Sequence, residues 1–289
     1  MTRAAEAAVL PEIDPQQVIS VIIGFIRSQL EQTGFGRLVV GLSGGVDSAT
    51  VAHLAAKAIG AEQVLAVLMP YRSSSPESET DARRVVEALG LRTERVDISP
   101  MVDPLLDSIG GEDSTAVAVR RGNVMARTRM MVLYDRSAAF DALVTGTSNK
   151  TEALLGYGTL HGDMAAAIQP IGDLYKSQLR AVASALGVAP EILAKPPSAD
   201  LWPGQTDEAE LGASYEDLDR ILFALVDRRW TVDRCVRAGL DARLVGWVAD
   251  RVARNEFKRQ VAPVAKVSLR TPGIDYLYPR RRPGSQRSA

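Results

Sequence analysis

Four short segments at 37–42, 64–70, 93–98 and 142–147 constrain the fold most, because each is separated from the next by residues with helical periodicity. Leu38-Val39-Val40-Gly41-Leu42 and Val64-Leu65-Ala66-Val67-Leu68-Met69 are apolar without alternation. Such runs suit strands buried on both faces. The intervening stretches read as helices at about 15–33, 46–59, 77–89 and 115–136. Asp14-Pro15 supplies an N-cap and a first-turn proline, and Val18, Ile19, Ile22, Ile23, Ile26 and Leu30 follow at helical spacing. Strand–helix alternation predicts an α/β fold, a doubly wound and mainly parallel sheet with right-handed crossovers. Beyond 175–186 the chain is helical at about 207–212, 215–227, 231–238 and 241–255, a helical C-terminal extension.

A chain of 289 residues permits one large domain or two small ones, and no flexible linker separates the helical third from the rest. The organisation expected is a mobile arm over 1–12, one domain over 13–262 and a tail over 263–289. Arg280, Arg281, Arg282 and Arg287 in that tail read as a solvated end rather than as a docking site for an acidic partner. Lys and Arg number 34 against 35 Asp and Glu, a net charge of −1, which argues against a nucleic-acid binder. No window approaches eighteen uninterrupted apolar residues and the start lacks an apolar secretory core, so a cytoplasmic protein without a membrane span is expected. One cysteine, Cys235, and two histidines exclude an intrachain disulfide and a multi-cysteine metal site.

The functional signal is Gly41-Leu42-Ser43-Gly44-Gly45-Val46-Asp47-Ser48, at the first strand–helix junction. Backbone N–H groups converging at a helix N-terminus bind an oligophosphate, helped by the helix dipole. Gly44 and Gly45 are expected to adopt φ > 0 and let the backbone approach the ligand, with the Ser43 and Ser48 hydroxyls as donors. Asp47 beside phosphates makes sense if Mg²⁺ lies between them. The string is neither a Walker A loop, since no Gly-Lys-Ser/Thr follows, nor the dinucleotide fingerprint.

Ser43-Gly44-Gly45-Val46-Asp47-Ser48 resembles the pyrophosphatase loop of enzymes that split ATP into AMP and pyrophosphate, whose sheet is of the adenine nucleotide alpha hydrolase type. Further segments resemble the ammonia-dependent NAD synthetase family, in that family's order, to about residue 260. They are Gly122-Asn123-Val124-Met125-Ala126-Arg127-Thr128-Arg129, Gly146-Thr147-Ser148-Asn149-Lys150-Thr151-Glu152, Pro170-Ile171-Gly172-Asp173-Leu174-Tyr175-Lys176 and Lys195-Pro196-Pro197-Ser198-Ala199-Asp200-Leu201. The resemblance implies ATP contacts at Gly41 to Ser48, Thr147, Lys176 and Ser198, a dinucleotide contact at Arg127, and Mg²⁺ ligands at Asp47 and Glu152. Two arginines at i, i+2 face different sides of a helix, so Arg127 and Arg129 are expected to serve different partners. Thr206 to Gly212 and Phe257-Lys258-Arg259 also fit, although capping and surface charge explain those two segments adequately.

The loop 156–167 departs from the pattern, with Leu160 where many members carry lysine and Ala167 where they carry an acid. Asp163 is retained and is the candidate for orienting ammonia. His161 reads as a packing or hydrogen-bonding residue rather than a base. The activity implied is amidation of deamido-NAD: its carboxylate attacks the α-phosphorus of ATP, and ammonia displaces AMP from the acyl-adenylate. Asp47, Lys176 and Asp163 are the catalytic candidates. The loop at residue 43 leaves no room ahead of it for an amidase module, so free ammonia, or ammonia from a separate subunit, is expected. The family also implies a homodimer. The alternatives are a related amide ligase acting on another carboxylate and an inactive nucleotide-binding sensor.

Overall fold

A computed structural model describes residues 9–110, 115–198, 200 and 204–275. Residues 1–8 of the expected arm, Leu201, and 276–289 with the four tail arginines lie outside the described residues. Helix α1 (Pro15–Thr33) opens where the sequence places it, with Asp14 Oδ1 accepting from the N–H groups of Gln16 (2.9 Å) and Gln17 (3.3 Å). There follow β1 (Leu38–Gly41), α2 (Val46–Ile59), β2 (Val64–Leu68), α3 (Pro76–Leu89) and β3 (Arg92–Arg95). Then come α4 (Ser99–Ile109), α5 (Thr115–Phe140), β4 (Leu143–Thr145), α6 (Lys150–Leu155), α7 (Lys176–Leu186) and α8 (Pro190–Ala194). The C-terminal helices are α9 (Asp207–Leu211), α10 (Tyr215–Leu222), α11 (Val232–Arg237) and α12 (Ala242–Arg254).

The four strands form one parallel sheet in the order β3-β2-β1-β4. Side chains alternate across it, which explains the unbroken apolar runs. Leu38, Val40, Val64, Ala66 and Leu68 enter a core shared with α1, α2, α3 and α7. Val39, Leu65 and Val67 enter the opposite core beneath α4 and α5. A third apolar cluster, with Leu218, Leu222, Trp230, Cys235 and Val248 at its centre, gathers the C-terminal helices and reaches Leu155 and Tyr175.

Three elements differ from the sequence expectation. The third strand begins at Arg92 and its residues are exposed, because β3 is a sheet edge, where charge discourages pairing with other chains. Its ladder continues past Arg95 through Val96 N–H to Leu68 O (2.9 Å) and Ile98 N–H to Pro70 O (3.0 Å). Helix α4 was not expected, since the sequence reading assigned no element between Ile98 and the helix that starts near 115. Pro100 sits in its first turn, and buried Val102 and Leu106 anchor it despite the backbone donor missing at Pro104. The stretch 215–227 is not one α-helix: after Leu222 the backbone takes π-helical spacing over Phe223–Asp227.

The chain runs from β1 outward to β2 and β3, then returns to place β4 on the other flank of β1. The strand order therefore reverses between β1 and β4, where open α/β sheets bind ligands beyond their carboxyl ends.

Candidate active site

A cleft of about 1020 Å³ opens at that switch point. Its floor is the corner between β1 and α2. Ser48 Oγ donates to Gly45 O (3.1 Å) and accepts from Ser43 N–H (3.2 Å), and the Ser43 and Ser48 hydroxyls lie 3.0 Å apart. These hydroxyls brace the corner from within. Of the two glycines only Gly44 has a positive φ, +79°, and a Cβ there would lie 2.2 Å from Ser78 O in the first turn of α3. Gly45 has φ −85° and stands at the N-cap of α2, with no side chain satisfying the helix donors. The expectation of φ > 0 at both positions is thus corrected: Gly44 admits α3, while Gly45 faces the cleft with the open end of α2.

Asp47, in the first turn of α2, meets two residues from beyond β4. Lys176 Nζ donates to Asp47 Oδ2 (2.5 Å) and to Glu152 Oε1 (3.2 Å), and Asn149 Nδ2 donates to Asp47 Oδ1 (2.8 Å). Asn149 also caps α6: its Oδ1 accepts from Glu152 N–H (3.0 Å), and Glu152 Oε2 accepts from Asn149 N–H (3.3 Å). This capping box aims Glu152 back toward Asp47. Burial, with Asp47 and Asp207 nearby, pushes Glu152 up to about 8 against the pull of Lys176. Burial works against the Lys176 charge, but Asp47 and Glu152 outweigh it and hold the ammonium above its ordinary range. The Lys176 Nζ also lies 5.1 Å from the centre of the Tyr215 ring.

Beyond Lys176 the wall is acidic and phenolic. Asp207 accepts from Tyr157 OH (3.1 Å) and Tyr215 OH (2.9 Å), and Tyr157 OH also reaches Glu210 Oε2 (3.0 Å). Burial raises the Asp207 carboxyl above the usual range. In the same loop as Tyr157, Asp163 Oδ1 accepts from Thr159 N–H (2.7 Å). Lys258 donates to Gly156 O (2.8 Å) and Gly158 O (2.9 Å), a more specific role than surface charge.

Thr147, Glu152, Asp163, Lys176 and Ser198 line the same cleft as Gly41, Leu42, Ser43, Gly45, Val46, Asp47 and Ser48. Ser198 Oγ accepts from Asp200 N–H (3.0 Å). Gly44 and Arg127 do not line the cleft. Arg127 is exposed and directs Nε and Nη2 to Leu160 O, 3.3 Å each. Arg129 does line it, with Nε on Met69 O (3.1 Å) and the Asp200 and Asp163 carboxylates nearby. The two arginines face different partners, as their i, i+2 spacing requires. His161 is exposed with φ +58° and lies outside the cleft lining. Cys235 is fully buried in the C-terminal cluster, and burial pushes its thiol up, so it is packing.

Sequence reasoning gave no function to Asn149, Tyr157 or Tyr215, and found Asp207 only within a segment that fits the family and that helix capping also explains. For Asn149 a signal existed, the Asn-x-x-Glu spacing of a capping box. The donor chemistry at the floor fits a hard divalent cation, because two carboxylates converge there on a single positive charge. Among the described residues no cluster of three or more His, Cys, Asp and Glu could hold a metal. A cation at Asp47 and Glu152 would take its remaining oxygens from phosphates and water, which is the habit of Mg²⁺.

The NAD synthase family profile matches residues 18–262, most of the chain and every cleft residue named above. The chain belongs to the NAD synthase family. It is 51% identical over 263 residues to an NH(3)-dependent NAD(+) synthetase of Chlorobium phaeobacteroides, covering 91% of this chain and 94% of that protein. Among solved structures, the NH3-dependent NAD synthetase of Campylobacter jejuni in complex with the nitrate ion is 34% identical, with a TM-score of 0.74. That match covers 88% of this chain and 100% of the other. An NMN synthetase of Francisella tularensis is 30% identical with a TM-score of 0.75, over 88% and 99% of the two chains. The parallel sheet and flanking helices are therefore those of the family.

Proposed function

We infer that the protein is an AMP-forming carbon–nitrogen ligase that amidates deamido-NAD with ammonia. The observation that carries this reading is the convergence of Lys176, Asp47 and Glu152 below the open N-terminus of α2, in a chain of this family. ATP lies across the corner Gly41 to Ser48, with its phosphates toward the α2 N–H groups and Lys176, and contacts Thr147 and Ser198. Asp47 and Glu152 would hold Mg²⁺, which when bound supplies neutralisation of phosphate charge.

A carboxylate cannot expel oxide, so its oxygen is first converted into a leaving group. An acceptor carboxylate oxygen attacks the α-phosphorus, the bond to the bridging oxygen breaks, and pyrophosphate departs. The ammonia lone pair then attacks the acyl carbon, and AMP leaves with the oxygen it captured. Lys176 offsets the repulsion between two anions brought together, and the corner fixes their approach. Asp163 orients ammonia from the loop that also carries Tyr157. Neither half-reaction needs a protein nucleophile, which agrees with the burial of Cys235.

Arg127 takes the acceptor from outside the cleft, and this reading is coupled to a homodimer. Val119, Met131 and Tyr134 on α5, and Met101 and Leu105 on α4, are exposed apolar side chains on two helices packed together, which supports such a pairing. Light scattering at micromolar concentration tests it. No helix among the described residues is long and apolar enough to cross a membrane, and a cytoplasmic location is proposed.

A second acceptor is favoured by one specific observation. Leu160 offers Arg127 only its carbonyl where many family members place a lysine, and Ala167 has no charge. A mononucleotide makes smaller demands on that loop, and the similar NMN synthetase carries such a product in its name. The test is to incubate the protein with ATP, Mg²⁺ and ammonium or glutamine, offering deamido-NAD or nicotinate mononucleotide, and to quantify amide and AMP. NAD formed from ammonium supports the main reading. NMN alone moves the acceptor, and AMP with neither acceptor refutes both.

A further inference from the structure

Asp219, on α10, is fully buried yet belongs to neither the cleft lining nor the family-derived residue set. Its Oδ1 accepts from Thr151 Oγ1 (2.5 Å), and its Oδ2 accepts from Ser177 N–H (2.8 Å) and Ser177 Oγ (2.6 Å). Thr151 Oγ1 in turn accepts from Lys176 N–H (3.0 Å). The first two backbone donors of α7 are therefore satisfied by another helix's carboxylate and by a threonine from the first turn of α6. Every partner stands one residue from a side chain at the cleft floor: Thr151 precedes Glu152, and Ser177 follows Lys176. The same helix touches Lys176 again one turn earlier, where the Tyr215 ring lies beside its ammonium.

A buried carboxylate is a costly way to hold three helices together, since apolar packing stabilises as well without desolvating a charge. What a fully bonded polar network adds is a fixed geometry. Lys176 also stands in the first turn of α7, where the helix dipole opposes a cation. An acceptor anion at that terminus offsets the opposition and leaves the ammonium free to face the cleft. We propose that Asp219 and Thr151 are positioning residues, a clamp that sets Lys176 and Glu152 in register for the nucleotide. The proposal rests on the reading that those two side chains face ATP phosphates.

The test compares Thr151→Val, which keeps the branched shape and removes both bonds, with Thr151→Ser, which keeps the hydroxyl. ATP affinity is measured by calorimetry with Mg²⁺ present, alongside turnover and melting temperature. Thr151→Val is expected to lose about tenfold or more in turnover and ATP affinity, with KM for the acceptor unchanged, since an ångström of misplacement can cost that much. Thr151→Ser restores both to within about threefold. In a background carrying both Lys176→Met and Glu152→Gln the further loss of ATP affinity on adding Thr151→Val shrinks to under about twofold, because both residues it positions are gone. Full loss in that background, or a lowered melting temperature with turnover and affinity unchanged, overturns the clamp. Should Thr151→Val not fold, Ser177→Ala removes one hydroxyl arm and is read against the same criteria. If Lys176→Met itself leaves ATP affinity and turnover intact, the reading of the floor fails first, and the two failures are told apart.

Discussion

Replacing Gly44 and Gly45 separately by alanine asks whether the corner is shaped by the backbone in the way described. At Gly44 a non-glycine residue at φ +79° costs roughly 1–2 kcal/mol from the left-handed backbone alone. The new Cβ would lie 2.2 Å from Ser78 O, and that oxygen belongs to the α3 backbone and cannot rotate aside. Forcing the two segments apart adds the usual cost of overpacking, about 1–3 kcal/mol. The sum is roughly 2–5 kcal/mol, or a melting temperature lower by at least about 3 °C for a chain of this size. At Gly45 the φ is −85° and the nearest atom to a new Cβ is Ser43 Oγ at 3.4 Å, an ordinary contact. Alanine there loses some N-cap preference but also stiffens the unfolded chain, opposed effects each under about 1 kcal/mol. Thermal unfolding of the nucleotide-free proteins at one pH should therefore leave Gly45→Ala within about 2 °C of the parent and drop Gly44→Ala well below it. Equal melting temperatures for the two variants would refute the assignment of the close approach to Gly44.

Other predictions address the site and the core. Asp47→Asn and Glu152→Gln should each lower turnover at least about a hundredfold with circular dichroism unchanged, since each replaces a carboxylate that would hold the cation; full activity in either would remove the proposed metal role. Cys235→Ala should leave turnover unchanged while lowering the melting temperature by a few degrees, about the cost of trimming a buried side chain; a loss of turnover without loss of fold would contradict a packing role. His53, on α2, is held below the ordinary histidine range by burial and by Lys57, against a hydrogen bond with the Leu186 backbone. As pH falls through about 6.5 the unfolded chain takes up a proton before the folded one does, so this residue makes the fold less stable toward acid. Melting curves of the parent and His53→Gln should diverge below pH 6.5, with the parent losing more; parallel curves would show that His53 is not involved.

Motifs written in consecutive residues were legible in the sequence, and arrangements made by distant residues were not. The strands could be read because burial on both faces leaves an unbroken apolar run, as at Leu38 to Val40. The edge strand was read less well because exposure lets charge replace that run. Asp47, Glu152 and Lys176 were found through strings carried by their own helix starts, but Lys176 as their shared partner was not, since it acts across 129 and 24 residues. Asp219 left no sequence signal, because its partners stand 68 and 42 residues away and an aspartate within a helix reads as solvated. Spacing told that Arg127 and Arg129 diverge, and only packing told which of them enters the cleft. The φ values at Gly44 and Gly45 were misjudged because a glycine pair does not say which member turns.

The central claim is that an acid oxygen captures the α-phosphorus of ATP in this cleft, and isotope transfer measures that event directly. Deamido-NAD labelled with ¹⁸O in its carboxylate is turned over with ammonium, ATP and Mg²⁺, and the nucleotide and phosphate products are weighed by mass spectrometry. The account predicts one ¹⁸O in each AMP formed and none in pyrophosphate. Label in orthophosphate alongside ADP, or AMP formed without label, would contradict it.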